Sequence, residues 1–374
     1  MRIALDATPL DTSHHTRGIG VYVQGLLQGL LTLKTEHIWL LITHVPSRHA
    51  NLPPSWQTVW LPRPALGRLT ALATHQLLLP ALLQRLQADL VHFPSLSAHI
   101  SVTGLPWRVP NPFVVTVHDF TPLHIPALLH GKRVNHWWYA RQQAWACRAA
   151  RLICVSQATY KDAVHFLRIP PERCKVIHEG VDSRRFYPLD EPRPMPPFIL
   201  FVGGDFPNKN RGNVIRAFAQ LCRQTDLPHR LVLVGSDTLS HAELAMRYPG
   251  LDLARVRRVQ HLPPEELARL FRQADLFVFP SRHEGFGLPV LEAMASGTPV
   301  VTSTVSSLPE VAGDAALLVD PDDIDGLCQA MERVLRDRAL WAQLQAAGLA
   351  RARQFTWERT AQLTLQVYEE AAQG

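Results

Sequence analysis

The chain has no uninterrupted hydrophobic run of the roughly 18 to 20 residues that a membrane-spanning helix needs. The best candidate, residues 69–86, is broken by His75, Gln76, Pro80, Gln84 and Arg85. Hydrophobic residues make up 47% of the chain and charged residues 19%, a mixture typical of globular and not of disordered proteins. Since the strand-like segment Arg2–Ala7 follows Met1 directly, we also expect no signal peptide.

Cysteine is scarce. There are five cysteines in 374 residues, and no two of them form a Cys-x-x-Cys pair. An odd number without that spacing argues against a disulfide framework and against a cysteine metal site. The sequence therefore predicts reduced thiols and a cytoplasmic protein.

Acidic residues are few in the first half. Residues 1–190 hold 19 Lys and Arg against 10 Asp and Glu, together with 14 of the 18 histidines, whereas the remainder has 19 against 22. Such a basic half can attract anionic lipid, nucleic acid or a phosphorylated acceptor, or can simply keep the protein in solution. Since no nucleic-acid recognition motif accompanies the charge, we expect no nucleic-acid partner.

Short apolar runs alternate with helix-like segments along the whole chain. The runs are continuous, as in parallel strands that are covered on both faces. Strands interleaved with helices predict an α/β protein with two Rossmann-like domains facing across a cleft. The predicted strands are Arg2–Ala7, His37–His44, Leu90–Phe93, Phe113–His118, Leu152–Val155, Lys175–His178, Phe198–Val202, Leu231–Val234, Val256–Leu262, Leu276–Phe279, Val300–Ser303 and Ala316–Val319.

A proline-rich segment divides the two series of strands. Residues 187–197 contain five prolines, which can neither continue a helix nor occupy a central strand. We therefore predict an N-terminal domain over residues 1–186, a linker over 187–197 and a C-terminal domain over 198–355. Because ligands of such sheets bind at the carboxyl ends of the strands, the predicted active site is the cleft between the domains.

The most specific segment follows the predicted strand Leu276–Phe279. Glu284 opens a loop at the carboxyl end of that strand, and Gly285 and Gly287 let the backbone bend sharply and a ligand approach closely. Glu292 lies eight residues further on. Carboxylates would repel a phosphate, so this pair is better suited to accept hydrogen bonds from sugar and ribose hydroxyls.

A short helix is predicted within the same segment. Pro289 suits its first position and Gly297 its end. The free amides and the positive dipole end of this helix would face the cleft, where they favour a diphosphate.

In these residues the chain resembles glycosyltransferase family 4, whose members are retaining enzymes with the GT-B fold. Glu284, seven residues and Glu292 match the family's signature pair, and the likeness continues through residues 306–316 and 355–357. The resemblance implies that Glu284 contacts the transferred sugar, that Glu292 contacts the nucleotide ribose, and that a closing helix over 356–374 crosses back to the N-terminal domain. The implied donor contacts between the two glutamates are Gly285, Phe286, Gly287 and Leu288.

The resemblance extends to the loop after the first predicted strand of the second domain. Lys209 matches the family's phosphate-binding lysine, with Asn210 beside it, and would offset the negative charge of the departing diphosphate. Many members carry a basic residue a few positions earlier, where this chain has Gly203. Arg211 and Arg282 are the candidates to replace it.

A glycine-rich loop in the first domain resembles that of mannosyltransferase-like group 1 members. In segment Arg17–Tyr22, the amides of Gly18 and Gly20 would face the donor phosphates, which favours a GDP-mannose-like donor. A dinucleotide-binding fingerprint is excluded, because no glycine follows three residues after Gly20.

Two further positions are implied by the resemblance. His118, at the end of a predicted strand, matches a histidine near the reacting sugar. His261 and Leu262 match a strand end whose backbone meets the nucleotide base.

Two segments are interpreted without a catalytic role. His178–Asp182 resembles the family's turn before the interdomain linker, usually Asn-Gly-Val-Asp, and is read as structural. Asp320–Asp322 offers the Asp-x-Asp pattern of metal-dependent transferases, but it lies in a polar turn after the last predicted strand. We therefore expect no metal and no other cofactor, and activity that survives a chelator.

The segment His130–Arg141 mixes cations with aromatic residues. Exposed, this composition suits a membrane interface; buried, the aromatics would be core and the cations its rim. The hypothesis is that this face binds anionic lipid on the inner side of the cell membrane and so reaches a lipid-linked acceptor.

The sequence thus predicts a retaining glycosyltransferase that moves a hexose, mannose-like by the resemblance, from a nucleotide-diphosphate sugar to a hydroxyl of a glycan or lipid-linked acceptor. The expected catalytic residues are Glu284, His118 and Lys209. Since no carboxylate nucleophile can be named, the expected path is front-face attack in which the leaving phosphate takes the acceptor's proton. The alternatives are a sugar-nucleotide epimerase on the same fold and a non-catalytic sugar-nucleotide-binding protein.

Overall fold

The structure is a computed structural model that describes residues 1–12, 18–49, 51–62, 74–96, 105–129, 133–189, 195–236, 239–260 and 262–373. The chain forms two compact units. The first comprises Met1–Pro122, Leu129–Gly180 and Thr356–Gly374, and the second comprises Leu123–Leu128 and Val181–Phe355. Each unit contains one parallel β-sheet whose strands are connected through helices, which confirms the predicted pair of Rossmann-like α/β domains.

The sheet of the first unit has seven parallel strands in the order β3-β2-β1-β4-β5-β6-β7. The order reverses between β1 and β4, and in such sheets ligands bind outside the carboxyl ends of the strands at that point. The strands are β1 (Arg2–Asp6), β2 (Ile38–Thr43), β3 (Trp56–Trp60), β4 (Leu90–Phe93), β5 (Phe113–Val117), β6 (Arg151–Cys154) and β7 (Cys174–Val176).

Strand β3 was not predicted from the sequence. It lies at the edge of the sheet, where only Trp56 and Val59 of its five residues are buried, so it lacks the continuous apolar run of a central strand. Its first residue stacks on the buried indole of Trp39, with ring centroids 4.8 Å apart. The parallel ladder with β2 attaches this strand, and the stacked aromatic rings add to it.

The sheet of the second unit has six parallel strands in the order β10-β9-β8-β11-β12-β13. The central strand β11 is buried at all four residues, as its apolar sequence predicts. Strand β10 ends three residues before the predicted end at Leu262. The strands are β8 (Phe198–Val202), β9 (Arg230–Val234), β10 (Val256–Val259), β11 (Leu276–Phe279), β12 (Val300–Ser303) and β13 (Leu317–Val319).

Helices connect the strands, and capping side chains mark where several begin. The predicted cap at Ser156 is present: its hydroxyl accepts a hydrogen bond from Thr159 N at 3.0 Å. The α-helices are Gly18–Thr32, Leu79–Arg85, Thr121–His124, Arg133–Ala146, Gln157–Leu167, Arg211–Gln224, His241–Arg247, Pro264–Gln273, Leu288–Ala295, Leu308–Ala312, Ile324–Arg336, Arg338–Ala352 and Trp357–Gln373. Single 3-10 turns cover Thr8–Asp11, Pro46–His49, Pro126–Leu129, Pro171–Arg173, Pro207–Lys209 and Leu253–Arg255, and a π-helical turn covers Thr74–Leu78.

The last helix, Trp357–Gln373, packs in the first unit although it follows the second in sequence. Its partner is helix Gly18–Thr32, and two glycines one turn apart make the close approach possible. A Cβ atom at Gly25 would overlap the indole ring of Trp357, and one at Gly29 would overlap the backbone carbonyl of the same residue. The absence of side chains at these two positions therefore sets the distance between the helices.

We expect Gly25→Ala and Gly29→Ala each to lower the free energy of unfolding by about 1–3 kcal/mol, since overpacking outweighs the better helix propensity of alanine. Chemical denaturation measures this difference. Gly18→Ala is the matched control in the same helix, because no described heavy atom lies within 4 Å of the position of its Cβ. If Gly25→Ala were as stable as the control, the proposed close packing would be wrong.

Candidate active site

Glu284 lies in the loop that follows β11, within the second unit. Ser281 stabilises this loop through hydrogen bonds. Its buried Oγ lies 2.6 Å from Glu284 Oε1 and 2.6 Å from the carbonyl oxygen of Asn208. One hydroxyl thus joins the carboxylate to the loop that follows β8. Ser281 was not singled out from the sequence, because its two partners lie in different loops.

Lys209 and Glu284 form an ion pair. Lys209 Nζ lies 2.8 Å from Glu284 Oε1 and 2.9 Å from Oε2, and the two side chains are 23% and 12% exposed. Strands β8 and β11 are hydrogen-bonded neighbours, so the loops after them meet at one edge of the sheet. The structure therefore brings together two of the predicted catalytic residues, and each neutralises the other's charge in a partly buried setting.

Asn210 holds the two loops in place. Its side-chain amide donates to the carbonyl oxygens of Pro280 at 3.0 Å and Pro321 at 2.6 Å. The residue adopts a left-handed conformation, with φ of 57°, at the start of helix Arg211–Gln224, a conformation that asparagine tolerates better than most residues. Its amide thus orients the backbone next to Lys209, while its predicted donor contact stays a prediction.

The predicted short helix is present as Leu288–Ala295. Gly287 precedes it with φ of +113°, and a Cβ there would lie 2.7 Å from Leu308 Cδ2, so only glycine fits. Pro289 lies in the first turn, and Gly297, with φ of +75°, follows the end. Glu292 is the fifth residue of this helix and half-buried, as the spacing predicts.

Two serines fix the backbone between Glu284 and this helix. Ser306 Oγ accepts from Glu284 N at 3.1 Å and lies 2.5 Å from its carbonyl oxygen, while Ser307 Oγ donates to Phe286 O at 2.7 Å. Phe286 itself is buried with its ring against Phe355, at 5.8 Å between centroids. The Phe286 ring therefore belongs to the core, whereas Gly285 and Leu288 remain half-buried.

The position of Gly203 lies beside Lys209. A Cβ at Gly203 would be 3.4 Å from Lys209 Cγ, so a side chain there would point toward the lysine. Of the two candidate replacements, Arg282 pairs with Asp322, with Nη2 and Oδ1 2.5 Å apart, and Arg211 is buried, at 4% exposure. The second carboxylate of the Asp-x-Asp pattern is therefore engaged by an arginine.

His118 follows directly after β5 in the first unit. Its Nδ1 lies 3.0 Å from Glu179 Oε1, and its Nε2 lies 2.9 Å from the carbonyl oxygen of Pro94. A carbonyl oxygen can only accept, and an ionised carboxylate also only accepts, so this geometry is fully satisfied when both ring nitrogens carry a proton and donate. Burial alone lowers the pKa of His118, but the hydrogen bond and charge of Glu179 outweigh it and leave the pKa above its ordinary value.

Glu179 is a residue that the sequence reasoning missed. The turn His178–Asp182 was read as structural, whereas the structure places the Glu179 carboxylate, 3% exposed, against His118. A signal was present in the sequence: a carboxylate stands in a turn where the resemblance expects an amide. Its partner, 61 residues earlier, could not be read from that signal.

The predicted glycine-rich loop opens helix Gly18–Thr32. Gly18 is exposed and Gly20 is buried, both in the first turn, where backbone amides have no partner within the helix. Arg17 lies outside the described residues, as does His261. Leu262 is half-buried after the end of β10.

Two family models match most of this chain. The family model described as Glycosyltransferase Family 4 matches residues 16–185, and the model of Glycosyl transferases group 1 matches residues 188–351. The O-antigen chain mannosyltransferase B of Escherichia coli is 31% identical over 272 residues, which are 68% of this chain and 70% of that protein. The chain belongs to glycosyltransferase family 4. Its enzyme class is accordingly that of the hexosyltransferases.

Other relatives differ in sequence identity to this family-4 chain and in how much of each protein is matched. The serotype-specific mannosyltransferase WbdA of Escherichia coli is 28% identical over 76% of this chain, but over only 36% of its own length. The crystal structure of HepE from Anabaena in complex with UDP and glucose has a TM-score of 0.69 at 19% identity, covering 99% of each chain. The fold is thus shared along the whole length, and the relatives' names give no support to an epimerase or a non-catalytic binding protein.

The ion pair of His118 predicts a pH dependence of stability. The folded-state pKa of His118 is raised above 6.5. The contribution of the ion pair to folding stability is therefore complete below pH 6.5 and is lost as the pH rises through the raised pKa. The substitution Glu179→Gln removes the negative charge that raises the pKa of His118. We expect the stability advantage of the wild type over this variant to be largest below pH 6.5 and to shrink above it.

Thermal denaturation of both proteins between about pH 5.5 and 9 measures this difference. Glu172→Gln, at an exposed position of the same unit, is the control and should run parallel to the wild type. A Glu179→Gln difference that stayed constant across the range would show that the two groups are not linked.

Proposed function

We propose that the chain transfers a hexose, with retention of configuration, from a nucleoside-diphosphate sugar to a hydroxyl of a glycan or lipid-linked acceptor. The observation that carries the proposal is the Lys209–Glu284 pair at the carboxyl ends of adjacent strands. Glu284 lies in the loop that leads through Gly287 into helix Leu288–Ala295, and Lys209 lies in the loop after β8. A cation and a helix N-terminus suit a diphosphate, and a carboxylate suits sugar hydroxyls.

Donor binding would exchange the partners of this pair. In the structure, both carboxylate oxygens of Glu284 bind Lys209 Nζ. The diphosphate would take over the lysine, and Glu284 would turn to the hydroxyls of the sugar. The Lys209 charge then stabilises the phosphate as the glycosidic bond breaks.

The proposed mechanism is front-face attack by the acceptor hydroxyl. Glu284 is held by Lys209 and Ser281 and is assigned to sugar binding, so it is not the nucleophile. The acceptor's proton passes to the departing phosphate oxygen, while the acceptor oxygen bonds to the anomeric carbon on the same face. His118 and Glu292 are proposed to contact the sugar and the ribose, respectively.

We propose that no metal takes part. Lys209 and the first-turn amides of Leu288–Ala295 supply positive charge for the diphosphate. Asp322, the second aspartate of the Asp-x-Asp pattern, is paired with Arg282. Mannose is the proposed sugar, since two relatives are named mannosyltransferases.

A thermal-shift panel of GDP, UDP, ADP and their hexose conjugates, with EDTA present, tests this proposal. A ligand that binds only the folded state stabilises that state by about 2.7 kcal/mol when its concentration is 100 times its Kd. The melting temperature rises as a result. We expect one base to stabilise the protein clearly, and GDP-mannose to do so if mannose is the sugar. No shift with any of these ligands would contradict the proposal.

Variants of the ion pair sharpen the same test. Lys209→Met should lose most of the shift by the nucleoside diphosphate, whereas Glu284→Gln should keep or increase it, since the lysine loses its competing partner. Turnover should fall by about a hundredfold or more in both, and also in Glu292→Gln. Glu265→Gln, an exposed carboxylate of the same unit, is the control; a near-normal rate in any of the three would remove that residue from the site.

A second proposal concerns a membrane partner. In the part of His130–Arg141 that the structure describes, Trp138 and Tyr139 are buried, whereas Trp137 is 50% exposed with the Arg141 guanidinium 5.6 Å from its ring centroid. Trp138 and Tyr139 therefore belong to the core, whereas Trp137 remains a candidate for a membrane interface. Trp137 has the exposure that a membrane-interface residue needs.

Further apolar side chains are exposed in segments tied to the helix that carries Trp137. Gln142 of that helix and Gln76 both hydrogen-bond the backbone of segment Leu105–Trp107, at 2.6 to 3.2 Å. We define the apolar patch as Leu77, Leu78, Trp107 and Trp137, which are 67%, 49%, 50% and 50% exposed.

The stretch of sequence that contributes this patch is strongly basic. Residues 37–161 contain 11 Lys and Arg but only two acidic residues, Asp89 and Asp119. None of the helices described is long and apolar enough to cross a membrane. From the exposed apolar side chains and the basic sequence that carries them, we propose that the apolar patch binds the surface of an anionic bilayer, where basic side chains and tryptophan rings are both stabilised.

Sedimentation with vesicles of phosphatidylglycerol and phosphatidylcholine tests the membrane proposal. We expect binding at low salt that weakens as salt is added, because screening reduces the electrostatic part. The double variant Trp107→Ser/Trp137→Ser should bind at least about tenfold more weakly, since each ring contributes buried apolar area. Met246→Ser, an exposed apolar residue of the second unit, is the control; equal binding by both variants, or none by the wild type, would overturn the proposal.

A further inference from the structure

Four fully buried side chains form a hydrogen-bonded chain through the first unit. Tyr22 OH lies 2.9 Å from Thr116 Oγ1, Thr116 Oγ1 lies 2.8 Å from His92 Nε2, and His92 Nδ1 lies 2.6 Å from Tyr368 OH. All four residues have no exposed surface. The chain joins helix Gly18–Thr32, through β5 and β4, to the last helix.

In this hydrogen-bonded network of four side chains, every polar group has a partner when the central histidine, His92, is neutral. Burial, followed by the nearby charge of His118, lowers the pKa of His92 to about 3, so its ring is uncharged. A neutral imidazole donates from one nitrogen and accepts at the other, and each hydroxyl can do both. Every member of the network therefore has a partner, which makes such a buried network rigid.

Tyr22 also contacts His118 directly. The two rings meet nearly at right angles, at 86°, with centroids 4.8 Å apart. The charged and titratable groups that face His118 are Glu179 at Nδ1, Asp119 next in sequence, neutral His92 and the Tyr22 phenol. Rotation of the imidazole would break its bonds to Glu179 and Pro94, and the Tyr22 ring packs directly against the imidazole.

Tyr22 has a second aromatic neighbour. The indole of Trp357 lies 6.0 Å away between centroids, at 70°, in the last helix. The Tyr22 ring thus contacts both His118 and Trp357, and its hydroxyl is bound by Thr116. Tyr22 follows Gly20 by two residues in the same helix, so its placement also sets that of the helix's first turn.

We propose that Tyr22 is a positioning residue for His118: its ring, packed edge-on against the imidazole, keeps that imidazole donating to Glu179 and Pro94. The predicted donor-binding turn at Gly18 and Gly20 and the His118 ring are thereby held as one rigid body. The effect on catalysis rests on the proposed function; the effect on the His118 ring does not.

A double-mutant cycle tests the catalytic part. Tyr22→Leu should lower kcat by about tenfold or more in the wild-type background, because a misplaced group near the chemistry is costly. In the His118→Ala background the same change should alter the residual kcat less than about twofold, since coupled residues are not additive. Equal losses in both backgrounds would show that Tyr22 acts independently of His118 and would overturn the proposal.

The imidazole N–H proton signals of His118 in NMR spectra provide a readout that needs no turnover. Both N–H groups are hydrogen-bonded, so we expect slowly exchanging signals in the wild type and in Tyr22→Phe, which keeps the ring. Tyr22→Leu should lose them to solvent exchange, and Gln24→Ala, exposed on the same helix, should leave spectrum and kcat unchanged. Persistent signals in Tyr22→Leu would overturn the positioning role, whereas lost signals without any transferase activity would contradict only the proposed function.

Discussion

The parallel pairing of β8 with β11 is the constraint on which the site of the second unit depends. Parallel neighbours end at the same edge of a sheet, so the loops after them meet even though Lys209 and Glu284 are 75 residues apart. The strands themselves are short and buried, and their burial fixes the register. The position of both charged groups therefore follows from apolar packing beneath them.

The loops above these strands are then fixed by small polar groups. Ser281, Asn210, Ser306 and Ser307 each bond to a backbone carbonyl or to the Glu284 carboxylate. Such contacts leave the carboxylate and the ammonium few other conformations when no ligand is present. Removing one member of the pair leaves the other partly buried and uncompensated, which costs more than the pair itself contributes.

The sequence predicted most of the fold, since twelve apolar runs correspond to strands and only β3 was missed. That strand is half-exposed at an edge, so hydrophobic periodicity carries little information about it. In the site, Lys209 and Glu284 were found because local motifs surround them. Glu179 and Ser281 were not, because what they contact is decided by strands distant in sequence, and hydrogen bonds of that kind leave no local pattern.

The packing of Trp357 onto Gly25 and Gly29 has a consequence for how the chain is made. The first unit is discontinuous: the last helix, which packs against its early helix at Gly25 and Gly29, follows the second unit in sequence. On the ribosome, the whole second unit is synthesised before that covering helix emerges. The segments synthesised first are thus the last to complete their core, and a product terminated near residue 355 would expose the apolar face of helix Gly18–Thr32 to chaperones and proteases.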